Sequence, residues 1–363
     1  MSEKTYPRVV IDLKKLRNNI DAIIGRCNAA GIDVAGVTKC VSSLPEVARQ
    51  FEEGGAKFIA SSRINQLQRL KDAGIKTPLM LIRIPMLSEV EKTVELADVS
   101  LVSEVPLIGA LDRAAQRAGR KHGVILMDDL GDLREGFWDQ GQLIDAAVLV
   151  EEAPGLELMG IGTNLGCYGS VLATPDKLGE LVRDAEAIED KIGRHLRYIS
   201  GGATSSIPRI LEGNMPSRIN MLRIGEGIIV ARDLIELYDY KMDYMETTVS
   251  KLQAEVIEVK VKPTHPVGEI GYDAFRRQPE YVDRGMRKRA IVAVGKIDYS
   301  FETGLTPLDE GVEVIGASSD HTLLDIEDAK RDIKVGDILE FNLDYGALVF
   351  LTQTSEVAVE TVE

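Results

Sequence analysis

Lys39 stands directly after the apolar run 34–38, which is typical of a buried strand. A lysine leaving such surroundings has its charged form disfavoured by desolvation, so its amine becomes a usable base or nucleophile. Lysines of this kind form imines with carbonyl compounds. The alternative is a lysine that extends from a strand end into solvent, as most lysines do. Lys39 therefore indicates amine chemistry only if other polar groups meet it.

A second candidate, Arg134, lies in a glycine-flanked loop that follows the apolar run 123–128. An arginine placed there can hold a carboxylate through two parallel hydrogen bonds. Asp128, Asp129 and Asp132 precede it in the chain, and surface ion pairs with them are the alternative interpretation. The loop predicts either a carboxylate-binding site or a solvated cluster of charges.

Two later segments combine glycine with side chains suited to an anion. Thr204 and Ser205 follow a glycine pair after one apolar run, and Gly225 follows Arg223 at the end of the next. Backbone N–H and hydroxyl groups in such loops bind phosphate, whereas a polar turn with a helix N-cap is the alternative. Arg223 would point into a barrel of strands, where an unpaired arginine is costly. We expect it to meet a polar ligand or partner.

The glycines of segment 160–166 invite a dinucleotide-binding interpretation, but the spacing is wrong. The third glycine comes one residue late, and Leu165 occupies its place. Asn164 remains of interest as a polar residue at a strand end. None of the four histidines has a second histidine at metal-ligand spacing, so we expect no metal centre.

The elements that must position these residues alternate apolar runs with amphipathic stretches up to about residue 231. The apolar runs are 34–38, 57–60, 78–84, 98–102, 123–128, 157–163, 196–200 and 219–224. Between them lie helical faces such as those in 44–51 and 178–188. Eight such units predict an α/β fold, a (β/α)8 TIM-type barrel with the candidate residues at the carboxyl ends of its strands. An open, doubly wound sheet is the alternative.

The pattern changes after residue 233 to Val-, Ile- and Thr-rich segments separated by turns. These segments are 246–261, 289–296, 312–316, 322–326 and 338–343. They predict a barrel over residues 1–233 followed by a C-terminal β-domain over 234–363. The early apolar segment 8–12 is a candidate strand of the same β-domain.

Composition excludes several functional classes. The 363 residues carry a formal net charge of −15, which repels phosphate backbones, so we expect no nucleic-acid partner. No stretch has the length of a membrane span, and the polar segment 1–7 is unlike a secretory signal. The cysteines, Cys27, Cys40 and Cys167, are too widely spaced for a disulfide scaffold, which favours a reducing cytoplasm.

Lys39, the segment 129–134, the hydroxyl loop and Arg223-x-Gly225 together resemble the alanine racemase family of fold type III pyridoxal-phosphate enzymes. A closer resemblance, to members that act on ornithine, extends over essentially the whole chain. It is carried by RIPML (83–87), DLGDLREG (129–136), GEIGYDAF (268–275), RKRAI (287–291) and GASSDH (316–321). The resemblance implies a barrel that binds pyridoxal 5'-phosphate, a β-domain, and a homodimer with shared active sites.

For the cofactor, the resemblance implies that Lys39 carries it covalently. It implies phosphate contacts from Thr204, Ser205 and Gly225, and a contact between Arg223 and the pyridine nitrogen. Asn164 stands where the family commonly has a histidine that supports this arginine.

For the substrate, the resemblance implies a carboxylate site formed by Arg134, Ser319 and Asp320. Racemisation needs a base on each face of a planar intermediate. The resemblance assigns one face to Lys39 and the other to Tyr272, delivered from the β-domain of the second subunit. Asp273 and Asp320 are the alternatives to Tyr272 as the second base.

Three positions depart from the family pattern. Met127 replaces a modified lysine, Ser43 replaces a phosphate-binding tyrosine, and Asn164 replaces the histidine. These departures disfavour alanine, so we expect racemisation of ornithine, with lysine or several basic amino acids as the alternative. Two further alternatives are a non-catalytic pyridoxal-phosphate regulatory protein and a metal-assisted D-amino acid lyase. The β-domain argues against the first, and the scarcity of histidine and cysteine against the second.

Overall fold

The computed structural model describes residues 5–363 and divides them into two compact units. One unit is Leu16–Glu246, and the other combines the described residues up to Lys15 with Thr247–Glu363. This division lies later in the chain than the boundary predicted at residue 233. The first four residues of the polar N-terminal segment, for which we expected no secretory signal, lie outside the described residues.

The Leu16–Glu246 unit contains a closed barrel of eight parallel strands. After β1 (Arg8–Asp12), which belongs to the other unit, the barrel strands are β2 (Asp33–Val37), β3 (Phe58–Ser61), β4 (Leu79–Leu81), β5 (Val99–Val102), β6 (His122–Met127), β7 (Leu156–Gly162), β8 (Tyr198–Ser200) and β9 (Met221–Ile224). Neighbours follow chain order, and β9 closes the barrel by pairing with β2, where Asp33 lies opposite Met221. Closure confirms the predicted (β/α)8 barrel over the open, doubly wound sheet.

Helices follow the strands as the apolar spacing predicts. They are α1 (Leu13–Ala29), α2 (Pro45–Glu53), α3 (Ile64–Asp72), α4 (Val90–Leu96), α5 (Val105–Ala118), α6 (Gln140–Glu152), α7 (Pro175–Ile192), α8 (Ile207–Leu211), α9 (Glu226–Ile229) and α10 (Asp233–Glu236). In α7, the predicted face from Leu178 to Ile188 is buried. Thr174 caps this helix by accepting the N–H of Lys177 at 3.2 Å, and Gly193 ends it at a φ of +75°.

Apolar side chains fill both the inside of the barrel and the space between strands and helices. Phe58, Met80 and Met221 belong to the inner cluster, and Leu111 and Leu181 belong to the outer one. Because the interior is filled, the loops at the carboxyl ends of the strands are where chemistry can take place.

The second unit is built on a sheet of eight strands. Its later strands are β10 (Ser250–Pro263), β11 (Met286–Val292), β12 (Leu305–Pro307), β13 (Glu313–Ala317), β14 (Thr322–Asp325), β15 (Ile338–Leu343) and β16 (Ala358–Val362). The order along the sheet is β12-β15-β10-β11-β14-β13. The early strand β1 pairs with β10 antiparallel and with β16 parallel, so the segment 8–12 joins this sheet as the sequence suggested.

The sequence pattern did not predict every element of this unit. The short strands β12 and β16 and the helices α11 (Lys296–Tyr299) and α12 (Tyr345–Leu351) were not predicted. α12 begins after Asp344, whose carboxylate accepts the N–H of Ala347 at 2.7 Å. Tyr345 therefore opens this helix. Among residues 5–363, no helix is long and apolar enough to cross a membrane.

Candidate active site

Lys39 begins a short 3-10 helix, Lys39–Val41, immediately beyond the carboxyl end of β2. Its side chain is half-buried. Burial lowers the pKa of the Lys39 ammonium, and the guanidinium of Arg134 lowers that pKa further. Cys167 and Glu135 oppose this shift through weaker charge interactions. An amine with a lowered pKa has a larger neutral fraction, which both imine formation and proton removal require.

Hydroxyl groups form a buried chain beneath Lys39. Thr38 Oγ1 lies 3.0 Å from Ser43 Oγ, which lies 2.7 Å from Ser61 Oγ, and Ser61 donates to Gln66 Oε1 at 2.6 Å. Ser43 is fully buried. The residue that replaces the family's phosphate-binding tyrosine is thus part of the packing under the site.

Arg223, on β9, is 5% exposed and meets polar partners as expected. Nη1 donates to Ser200 Oγ at 2.5 Å, and Nη2 donates to the carbonyl oxygen of Thr163 at 2.7 Å. Burial lowers the pKa of Arg223 to about 10. The guanidinium therefore stays charged at neutral pH and presents a fixed cation at the end of the barrel.

The two predicted anion-binding loops lie against their neighbours. Thr204 Oγ1 accepts the N–H of Gly227 at 2.9 Å, and Ser205 Oγ donates to the carbonyl oxygen of Leu165 at 2.7 Å. Thr204 Oγ1 acts as an acceptor in this bond, so its O–H can still donate to an anion. The O–H of Ser205 already donates to Leu165. A Cβ added to Gly225 would lie 2.6 Å from a carbonyl oxygen of β2, so only glycine fits there.

Two polar atoms next to Arg223 need a partner. Thr163 Oγ1 and Asn164 Nδ2 are buried and make no hydrogen bond within the described part of the chain. Buried polar groups are normally satisfied, so these atoms mark a place for polar atoms of a ligand. An amine of lowered pKa, a buried cation, orphaned polar atoms and a glycine-lined hydroxyl loop fit pyridoxal phosphate. Within residues 5–363, no group of three or more His, Cys, Asp or Glu side chains is placed to hold a metal ion.

Arg134 is held by two neighbours at the mouth of the barrel. Its Nε and Nη2 donate to the carboxylate of Glu135, and its Nη1 donates to Cys167 Sγ at 2.8 Å. The alternative interpretation, ion pairs with the aspartates of its own loop, is replaced by this pairing with Glu135. Arg134 also lowers the pKa of both Lys39 and Arg223 through charge repulsion, so the three cations share one region.

Asp132 organises this region and was missed as a functional residue. It is 1% exposed, and its carboxylate accepts the backbone N–H groups of Gly166, Tyr168 and Val171 at 3.0–3.1 Å. The signal in the sequence was an aspartate preceded by a glycine and followed, after the next strand, by a glycine-rich loop. Nothing in the sequence tied the two together.

The predicted residues of the other unit lie around one short helix. The ring of Phe275, three residues beyond Tyr272, lies 5.0 Å from Lys296 Nζ of α11. The backbone N–H groups of Lys296 and Ile297 donate to the carbonyl oxygens of Ser318 and Ser319. The segments that carry Tyr272, Ser319 and Asp320 therefore flank α11.

Tyr272, Asp273 and Asp320 differ in their exposure and in the hydrogen bonds that they make. Tyr272 is 78% exposed. Asp273 accepts the N–H groups of Phe275 and Arg277 at 2.8 Å, so it stabilises its own turn. Asp320 accepts the hydroxyl of Ser319 at 2.6 Å.

Solved structures with the same fold cover nearly the whole chain. An alanine racemase from Streptomyces lavendulae superposes with a TM-score of 0.74 at 18% identity, covering 99% of this chain and 98% of that one. A D-threonine aldolase from Filomicrobium marinum gives a TM-score of 0.72 at 17% identity, covering 96% and 89%. At these identities the likeness concerns the fold.

Sequence relatives are much closer. The ornithine racemase of Acetoanaerobium sticklandii is 40% identical over 344 residues, 95% of this chain and 96% of the relative. The lysine racemase of Thermotoga maritima is 39% identical over 344 residues, 95% of each. Residues 11–233 match the family described as alanine racemase, N-terminal domain. The chain belongs to the alanine racemase family.

Proposed function

We propose that this chain is a pyridoxal-phosphate-dependent amino acid racemase that interconverts L- and D-ornithine. The observation that carries the proposal is the likeness over 95% of the chain to an ornithine racemase. It is supported by the half-buried Lys39, whose pKa burial and Arg134 lower. Lysine is the second candidate substrate, because a lysine racemase is similar at 39% identity.

The cofactor would be held by residues of the barrel loops. Lys39 would carry it, Arg223 and Asn164 would contact its ring, and Thr204, Ser205 and Gly225 would contact its phosphate. When bound, pyridoxal phosphate supplies an electron sink that makes the Cα–H of an amino acid acidic. The orphaned atoms beside Arg223 support this placement.

Proton transfer on two faces would be divided between two side chains. Lys39 Nζ would take or return the Cα proton on one face, and the hydroxyl of Tyr272 from the second subunit would serve the other. The exposure of Tyr272 supports it over Asp273, whose carboxylate is tied to its own turn. Arg134, with Ser319 and Asp320, would hold the substrate carboxylate.

We also propose a homodimer located in the cytoplasm. The segment between β10 and β11 exposes large apolar side chains, including Val267, Tyr272 and Val282 at 77–93%. Exposed apolar patches of this kind mark interaction surfaces. All three cysteines are free thiols, which supports a reducing compartment.

A substrate panel tests the proposal. The protein reconstituted with pyridoxal phosphate is incubated with L-ornithine, L-lysine and L-alanine, and the products are separated by chiral chromatography. We expect ornithine to approach equal amounts of both enantiomers, with slower conversion of alanine and none in Lys39→Ala. Bound cofactor without racemisation of any amino acid would instead favour a regulatory protein.

A further inference from the structure

The loops at the carboxyl end of the barrel concentrate positive charge. Arg134 interacts through charge repulsion with both Lys39 and Arg223. A basic amino acid brings another cation, its side-chain ammonium, into this region. Like charges in a partly buried site repel strongly, so binding of ornithine or lysine requires an acceptor of negative charge.

Most nearby carboxylates either accept backbone hydrogen bonds or are buried, so they are not free to bind a substrate cation. Asp132 binds backbone N–H groups of the loop after β7. Asp129 Oδ1 accepts the N–H groups of Gly131 and Leu133 at 2.9 and 3.0 Å. Asp128 is buried beside Asp184, and burial raises its pKa, so it is not a fixed anion.

Glu226 is also a weak candidate for binding the substrate ammonium, because its pKa is raised like that of Asp128. Burial raises its pKa to about 7, and its Oε1 accepts the backbone N–H of Asp233 at 3.4 Å. It is therefore only partly charged at neutral pH, and its carboxylate is directed toward the start of α10.

Glu135 differs from all of these carboxylates. Its oxygens accept hydrogen bonds from the side chain of Arg134, and no backbone N–H group in the described part of the chain donates to them. Its side chain is 18% exposed, so it is partly desolvated yet open to the mouth of the barrel. Its charge also favours the protonated forms of Lys39 and Arg223, which places it in electrostatic range of both groups.

We infer that Glu135 binds the side-chain ammonium of a basic substrate and sets the preference for ornithine or lysine over neutral amino acids. This inference rests on the proposed racemase function and adds a specificity-determining residue to it. The Arg134–Glu135 pair offers one positive and one negative group. The substrate carries the complementary groups, a carboxylate and a terminal ammonium. Entry of the substrate exchanges one ion pair for two: its carboxylate takes Arg134, and its ammonium takes Glu135.

The test compares ornithine with norvaline, which has the same carbon chain without the terminal amine. Racemisation of both by the holoenzyme is measured for the parent, Glu135→Gln, Glu135→Asp and Glu157→Gln. The last variant removes one exposed carboxylate near the start of β7, at the opposite end of the barrel. It serves as the matched control for loss of charge.

We expect Glu135→Gln to raise KM for ornithine roughly 10- to 100-fold, the size of a lost charged hydrogen bond. KM for norvaline should change less than threefold, Glu135→Asp should recover part of the preference, and Glu157→Gln should match the parent. An equal loss of kcat/KM for both substrates would show that Glu135 only positions Arg134 and would overturn the inference. A parent that racemises norvaline but neither ornithine nor lysine would overturn the proposed substrate as well.

Discussion

The buried carboxylate of Asp132 accepts the backbone N–H of Tyr168 at 3.0 Å. Through this and the neighbouring bonds, one side chain fixes the loop after β7 against the loop after β6. The first loop carries Cys167 and the second carries Arg134, and these two side chains are themselves hydrogen-bonded. Asp132 therefore holds in place the arginine that lies beside Lys39.

Asp132→Asn should weaken both the fold and the site. The amide has one acceptor oxygen, and its NH2 group would face backbone N–H donors, leaving buried groups unsatisfied. We expect the free energy of unfolding to fall by about 1–3 kcal/mol and kcat/KM to fall as well, measured by urea unfolding and chiral assay. Asp145→Asn, on the exposed face of α6, should stay within about 0.5 kcal/mol of the parent. Equal behaviour of the two variants would contradict this role.

The barrel was predictable because its signal is local and repeated. Eight apolar runs and the helical faces between them are properties of short windows, and their number matches a (β/α)8 barrel. The same pattern fits an open, doubly wound sheet, so closure is established only by the pairing of β9 with β2. The strands β12 and β16 were missed because they are short, exposed in part and stabilised by partners distant in the chain. α12 was missed because its seven residues form only about two turns, too few to show a helical period.

Residues of the candidate site could be singled out from the sequence where the residue type is unusual for its position. Lys39 and Arg223 are charged residues at the ends of apolar strands, and burial makes each depend on a partner. Glu135 and Asp132 were not predictable in the same way, since an acidic residue in a loop is ordinary. Only the pairing of distant loops gives them a role.

Asp128 predicts a pH dependence of stability. Burial, followed by the neighbouring carboxyl of Asp184, raises the pKa of Asp128, and Asp129 and Glu180 act in the same direction. The pKa of an aspartate in the unfolded chain is about 3.9. A carboxyl whose pKa is higher in the folded state stabilises the fold fully at pH values below the unfolded-state pKa. This stabilisation is lost as the pH rises toward the raised pKa.

Asp128→Asn should therefore be more stable than the parent at alkaline pH. The amide needs no proton and can donate to Asp184. Urea unfolding at pH 5 and pH 8.5 should show a difference that grows with pH, reaching on the order of 1 kcal/mol. A difference that is the same at both pH values would contradict an elevated pKa at Asp128.

The proposed sharing of active sites between subunits predicts complementation between inactive variants. Lys39→Ala and Tyr272→Phe, mixed under conditions of subunit exchange, form heterodimers in which one of the two sites is intact. We expect roughly a quarter of the parental activity, because half of the dimers are mixed. Exchange is monitored with tagged subunits, and absence of recovery despite complete exchange would argue against sites shared between subunits.

Tyr272→Phe should separate the two proton transfers. In deuterium oxide this variant should no longer racemise ornithine, yet it should exchange the Cα hydrogen, with retention, in the enantiomer whose proton Lys39 is proposed to remove. Mass spectrometry and chiral chromatography measure exchange and inversion separately. Tyr281→Phe, in the same exposed segment, is the control and should racemise normally. Near-normal racemisation by Tyr272→Phe would assign the second face to another group.

The most direct measurement locates the cofactor on the chain. Borohydride reduction of the holoenzyme, followed by proteolysis and mass spectrometry, attaches a pyridoxyl group permanently to the lysine that carries it. Because Lys39 is half-buried with a lowered pKa, we expect the label on the peptide that contains Lys39, and on no other. A label on a different lysine, such as the buried Lys296 of α11, or no label at all, would contradict the assignment of Lys39 and the racemase mechanism built on it.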